Sequence, residues 1–135
     1  MNLKAAHTVS EDGEHEVSIE GLRVWVHRSG AQWIAQGLDI DYVVSGESQE
    51  LATRTFAVGF CCTVVEHVRR FHSLDKLLAR RAPDSVFRAW HRELEKQNLA
   101  EQRVPFRVPE SEFDDEARLR PIVPPALKFF VPSHP

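Results

Sequence analysis

The alternation of apolar and polar residues predicts two β-strands, near residues 17–27 and 32–38. The segment between them, Arg28-Ser-Gly-Ala31, predicts a tight turn because Gly30 can adopt positive φ. A short third strand is predicted near residues 41–45, after a turn that contains two aspartates. The order of these elements predicts an antiparallel hairpin that continues into a third strand.

The predicted hairpin carries apolar side chains on both of its faces. With Ser29 and Gly30 as the two loop residues, Val26 is expected opposite Trp33. One face then holds Val24, Val26, Trp33 and Ala35, and the other holds Trp25, Ile34 and Leu38. A sheet that is packed on one side only alternates more cleanly than this. We therefore expect a further part of this chain, or a second chain, to cover the face with Trp25.

A long helix is predicted from about residue 48 to residue 71. Ser48 is a suitable N-cap, and Glu50 lies in the first turn, where the helix dipole favours a carboxylate. Apolar residues then recur at spacings of three and four, namely Ala52, Phe56, Phe60, Val64, Val68 and Phe71. The middle of the helix is apolar almost all round, so more than one of its sides is expected to be buried.

The fold class predicted by these patterns is α+β, with a small antiparallel sheet of three or four strands packed on a long helix and further helices. Residues 1–15 are polar and show no period, so a flexible N-terminal arm is expected there. Residues 16–103 form the predicted α+β domain. Seven of the eight prolines fall after residue 104, which predicts a proline-rich, extended C-terminal segment over residues 104–135.

The composition is that of a globular protein, with 42% hydrophobic and 27% charged residues and a formal net charge of −3. The negative charge disfavours generic binding to nucleic acids or anionic membranes, and no apolar run is long enough to span a bilayer. Cys61 and Cys62 are adjacent, a spacing that rarely allows a disulfide, so both are expected to be reduced. Reduced cysteines and a start without a secretory signal predict a cytoplasmic location.

Few residues in this sequence point to catalysis or to metal binding. His67 and His72 are five positions apart on the predicted helix and do not share a face, and adjacent cysteines do not have metal-ligand spacing. Asp39 and Asp41 are paired carboxylates of the kind that hold Mg²⁺, although aspartates are also common in turns. We therefore expect no enzyme activity, cofactor or metal, with a metal-dependent nuclease that uses these two aspartates as an alternative.

Nucleic-acid binding through the basic helical region 69–92 is a second alternative. The region contains two arginine pairs, Arg69-Arg70 and Arg80-Arg81, and binding requires all four side chains on one open face. Acidic residues interrupt this charge at Asp75 and Asp84. The charge balance therefore does not favour this alternative.

Residues 20–90 resemble the HicB-like antitoxin family. Trp33-Ile-Ala-Gln36 followed by Leu38-Asp39 is similar to the family pattern W-V-A-Q-x-L-E-x-D, and Ala82-Pro83 with Phe87 is similar to a later A-P-x-x-(F/Y) segment. The resemblance implies a compact sheet packed on helices, similar to a partial ribonuclease H fold. It also implies a non-enzymatic protein-interaction role, typically as the antitoxin that neutralises a small ribonuclease toxin by direct binding.

Three residues of the second hairpin face, Trp25, Ile34 and Leu38, are the predicted partner-binding residues. Phe129 and Phe130 join them because they lie in an apolar, strand-like stretch that is suited to covering this face or adding to a sheet edge. Association between chains is favoured over folding back, since the prolines make the stretch a poor central strand and HicB-like domains commonly pair. The expected partners are a second copy of the chain, in a homodimer or higher oligomer, and a small toxin protein.

Overall fold

The computed structural model describes residues 4–105 and 126–133 of the chain. The elements in these residues are β1 (Lys4–Val9), β2 (His15–Glu20), β3 (Leu22–Ser29), β4 (Gln32–Gly37), β5 (Val43–Gly46), α1 (Gln49–Phe71), α2 (Asp75–Leu78), α3 (Asp84–Glu95), β6 (Leu99–Pro105) and β7 (Ala126–Pro132). The predicted α+β class is confirmed. The long helix begins and ends within one residue of the predicted limits, and Ser48 caps it by accepting a hydrogen bond from the backbone N–H of Leu51 at 3.0 Å.

Five strands form the main sheet, in the order β5-β4-β3-β7-β6, so the sheet is larger than the predicted three or four strands. The strands β3 and β7 are parallel, and the other neighbouring pairs are antiparallel. The strands β1 and β2 form a separate two-stranded hairpin. The single strand predicted near residues 17–27 is thus divided at Gly21, where a φ of 76° redirects the chain from one sheet to the other.

The turn between β3 and β4 lies one residue later than predicted. Gly30 and Ala31 are the loop residues, Ser29 pairs with Gln32, and Val26 therefore lies opposite Ala35 and not opposite Trp33. Gly30 has a φ of 62°, which suits the first central position of a two-residue hairpin turn. The pairing has moved by two residues, so each side chain stays on its predicted face.

The C-terminal part of the chain enters the main sheet as a central strand. The strand β7 lies between β3 and β6, and the predicted domain boundary after residue 103 falls inside β6. A central position is feasible because no proline interrupts Ala126 to Val131, and Pro132 comes only at the end of the strand. Residues 106–125 of the predicted proline-rich segment lie outside the described residues.

Part of the predicted N-terminal arm is a strand. The strand β1 pairs with β2 from Lys4 opposite Glu20 to Val9 opposite His15. Every residue of β1 is exposed apart from the half-buried His7. A strand with so few buried side chains does not need alternating apolar residues. The hydrophobic pattern of the sequence therefore cannot reveal β1.

The hydrophobic core lies between α1 and the main sheet. Phe56, Phe60 and Phe129 are fully buried there, and Val17 and Ile19 of β2 belong to the same cluster. Of the ten residues in the middle of α1, from Phe56 to Val65, five are buried, four are half-buried and only Val58 is exposed, at 50%, so the helix is covered on more than one side there. No helix in the described part of the chain has the length and apolarity that crossing a membrane requires.

Candidate protein-binding surface

The helix α3 packs on the face of the main sheet opposite α1, which we call the outer face. The Trp90 ring lies 5.2 Å from the Phe130 ring of β7, centroid to centroid. The guanidinium carbon of Arg23 on β3 lies 5.1 Å from the centre of the Trp90 ring and 5.6 Å from that of Phe87. These contacts place α3 over β7 and the start of β3.

The other half of the outer face stays accessible. Trp25 and Ile34 are half-buried, and Val43 on the edge strand β5 is 49% exposed. Gln36 on β4 lies opposite Trp25 on β3 and opposite Val43 on β5. The side chains of Trp25, Gln36 and Val43 are therefore neighbours on one surface of the sheet. We call Trp25, His27, Ile34 and Val43 the open surface.

A groove of about 440 Å³ borders the open surface, between the end of β3 and α3. Its lining includes Trp25, His27, Arg28, Ala89, Arg92 and Leu99. The Trp25 and His27 rings lie 4.1 Å apart, centroid to centroid, and together form an aromatic wall. The groove lining therefore combines aromatic and apolar side chains with the charged side chains of Arg28, Arg92 and Glu93.

The environment of His27 makes the aromatic wall of the groove uncharged near neutral pH. Burial lowers the pKa of His27 from its ordinary value of 6.5, and a hydrogen bond with the backbone of Arg28 opposes this shift in part. A neutral imidazole presents an aromatic face to a partner without the desolvation cost of a charge. The open surface thus suits an apolar contact.

The structure brings together two of the five predicted partner-binding residues, Trp25 and Ile34, on the open surface. Phe130 lies opposite Trp25 in the β3–β7 ladder, but its ring packs against Trp90. Leu38 and Phe129 are fully buried in the folded chain, so neither belongs to the open surface. Phe129 points to the other side of the sheet from Phe130 because adjacent strand residues alternate, and its ring packs on Phe56 at 5.9 Å.

Other residues of the surface and groove were not predicted as partner-binding, among them His27, Val43 and Arg92. The alternation of β3 places His27 on the same face as Trp25, so the sequence pattern contained that information. Val43 had a weaker signal, as an apolar residue in a short strand next to a turn. The position of Arg92 depends on where α3 docks, and no local pattern carries that information.

Asp39 has a structural role in a buried ion pair. Its carboxylate accepts hydrogen bonds from Arg23 Nη2 at 2.7 Å, from Nε at 3.2 Å and from the Arg23 backbone N–H at 2.9 Å. Asp41 is exposed and accepts a bond from Gln36 Nε2 at 3.2 Å. Within residues 4–105 and 126–133, no three His, Cys, Asp or Glu side chains are grouped so that they could hold a metal ion. Among the described residues, the two aspartates therefore have no third carboxylate grouped with them, although the nuclease alternative requires one.

The basic helical region is partly neutralised by its own carboxylates. Arg69 forms an ion pair with Glu66 at 3.1 Å, and Arg81 forms one with Asp84 at 2.8 Å. Arg81 also lies over the ring of Phe87, with its guanidinium carbon 5.0 Å from the ring centre. Two of the four arginines of the nucleic-acid alternative are thus held by intramolecular contacts.

The two cysteines are free thiols, with Cys61 buried and Cys62 half-buried. Cys61 belongs to the core cluster beside Phe60 and Val64, where it acts as a small apolar side chain.

Comparison with known proteins gives no match: no family model, no curated protein and no solved structure matches this chain. The role of the open surface is therefore inferred from its own geometry and from the sequence resemblance.

Proposed function

We propose that this chain is a non-enzymatic protein-interaction domain of the HicB-like antitoxin type, which neutralises a small toxin protein by binding it through the open surface. The observation that carries the proposal is the half-covered outer face. Trp25, Ile34 and Val43 remain accessible there, whereas α3 covers β7 and the start of β3 on the same face. A partner that covers these side chains removes their apolar surface from water, and this burial contributes favourable free energy to binding.

The overall arrangement supports the same proposal. A sheet packed on a long helix is the architecture that the resemblance implies. Asp39, in the segment similar to the family pattern, binds Arg23 and so links the chain after β4 to β3. The two free cysteines support a reducing compartment, and we place the action of the protein in the cytoplasm.

The test uses two valines of nearly equal exposure on opposite sides of the molecule. Val43, on the open surface, is 49% exposed, and Val58, on α1, is 50% exposed. The product of a short reading frame next to the gene is co-expressed with the wild-type chain, with Val43→Asp or with Val58→Asp. We expect the wild type and Val58→Asp to restore growth, and Val43→Asp to lose at least about tenfold in affinity for that product in titration calorimetry.

Circular dichroism and thermal unfolding of both variants separate loss of binding from loss of folding. Equal binding by the two aspartate variants would exclude the open surface as the interface. A neighbouring product that neither inhibits growth nor binds the chain would contradict the antitoxin role.

A further inference from the structure

The turn that joins β1 to β2 is an acidic projection with one apolar side chain. The hairpin from Lys4 to Glu20 contains five carboxylate residues, Glu11, Asp12, Glu14, Glu16 and Glu20, and a single lysine. Val9, at the end of β1, is 55% exposed and lies beside the acidic turn. The hairpin thus presents negative charge around an exposed valine.

Hydrogen bonds hold this turn in one conformation. The Ser10 backbone N–H donates to the carbonyl of Glu14 at 2.9 Å, and the Gly13 N–H donates to the carbonyl of Ser10 at 3.0 Å. The Glu14 N–H also donates to Ser10 Oγ at 3.1 Å. A turn that is ordered before binding loses less conformational entropy when it docks.

The residues that line the groove beside the open surface carry an excess of one positive charge, from Arg28 and Arg92 against Glu93. Arg92 belongs to a series of cations at a spacing of four, with Arg88 on α3 and Lys96 at the C-cap of that helix, and of these three only Arg92 lines the groove. Glu93 also lines the groove, where its carboxylate accepts a hydrogen bond from Asn98 Nδ2 at 2.8 Å. Residues at i and i+4 lie on one side of a helix, so Arg88 and Arg92 lie on the same side of α3.

We propose that the groove binds the acidic β1–β2 turn of a second copy of this chain, with Val9 against the aromatic wall and the turn carboxylates beside Arg28 and Arg92. The inference deepens the proposed protein-binding role of the outer face and rests on it. Charge complementarity selects the occupant, because an excess of negative charge around an apolar side chain meets a groove in which aromatic side chains are accompanied by two arginines and one carboxylate.

The contact must be between two molecules. Val17 and Ile19 anchor β2 in the core shared with α1, on the side of the sheet opposite the groove. The turn of one chain therefore cannot reach the groove of the same chain without losing two fully or nearly fully buried side chains. A reciprocal exchange of turns gives a dimer with two equal contacts.

The test is a charge swap in the full-length chain, read as mass against concentration by sedimentation equilibrium. Arg92→Glu in the groove and Glu11→Arg in the turn are each expected to raise the dissociation constant of self-association at least about tenfold. The double variant is expected to recover most of the wild-type association, because the pair is restored with opposite polarity. Arg70→Glu, at an exposed position on α1, is the control that changes the net charge as much as Arg92→Glu does.

Each other outcome overturns the inference. These outcomes are a wild-type chain that stays monomeric, equal loss in Arg92→Glu and Arg70→Glu, and a double variant as weak as the single ones. A monomeric chain whose binding to the toxin candidate depends on Val43 refutes this inference and leaves the proposed function standing. Association that follows the charge swap, with no toxin binding, refutes the proposed function alone.

Discussion

At the scale of single residues, burial and pairing decide which polar side chains are available to a partner. Asp39 is 3% exposed and its carboxylate is occupied by three hydrogen bonds from Arg23. Burying two charges is costly unless their geometry satisfies both, and the bidentate contact with Arg23 does so. The same residue type two positions later, Asp41, lies in solvent. Residue type alone therefore could not assign either aspartate its role.

His27 provides a prediction for the pH dependence of stability. Burial lowers its pKa in the folded chain below the ordinary value of 6.5, so the unfolded chain binds the proton more readily. The stability that neutral His27 contributes is fully present above pH 6.5 and is lost as the pH falls from there through the lowered folded pKa. His27→Gln is expected to reduce this acid-induced loss, measured by urea unfolding above and below pH 6.5.

A chemical-shift titration of the His27 ring in the wild-type chain gives the pKa directly, and the urea-unfolded chain is the reference. A folded pKa at or above the unfolded one would contradict the burial argument.

At the scale of elements, the glycine at position 59 of α1 leaves the space that the Tyr42 hydroxyl group occupies. A Cβ at Gly59 would collide with the hydroxyl oxygen of Tyr42. The Tyr42 ring cannot retreat freely, because it packs on Phe56 and Phe60 at centroid distances of 5.1 and 5.7 Å. Glycine inside a helix costs about 1 kcal/mol relative to alanine, so the close contact with Tyr42 explains why this position has no side chain.

Gly59→Ala is therefore expected to destabilise the chain, since overpacking costs about 1–3 kcal/mol and outweighs the gain in helix propensity. In a Tyr42→Phe background the hydroxyl is absent, and the same substitution is expected to stabilise the chain by up to about 1 kcal/mol. Urea unfolding of the four chains in this double-mutant cycle measures both effects. The same sign of change in the two backgrounds would show that Tyr42 does not cause the constraint.

At the scale of the whole molecule, the two sheets differ in how firmly they are held. The strands β3 and β7 are interior to the main sheet, and Val24, Leu127 and Phe129 on them are fully buried. Among the described strands, β1 pairs with β2 alone, and it has almost no buried side chain. Local opening of β1 therefore requires less free energy than unfolding of the main sheet.

Hydrogen exchange is expected to show this difference. Amides of β1 that bond to β2 should exchange much faster than those of β7 that bond to β3 or β6, measured by NMR at one pH and temperature. The comparison is restricted to hydrogen-bonded amides, so that the unpaired edge of β1 does not bias it. Equal rates in the two strands would mean that the hairpin unfolds only together with the core.

The sequence by itself determined the elements whose burial is regular. The period of α1, its Ser48 cap, and the alternation in β3 and β4 are local patterns, because one side of each element faces the core and the other does not. The same alternation placed Trp25 and Ile34 on a shared face. Gly30 marked the turn, although the loop begins one residue later than the pattern suggested.

Only the tertiary structure decided which strands are neighbours and which face is covered. The pairing of β3 with β7 joins segments about a hundred residues apart. The strand β1 is exposed, so no alternation of apolar residues predicts it. Phe129 and Phe130 have the same residue type, yet one lies in the core and the other packs under α3, because strand pairing fixes which of them points to which side. The open surface likewise exists because α3 covers β7 and leaves β4 and β5 accessible. The position of α3 depends on the contact of Trp90 with Arg23, two residues far apart in the chain.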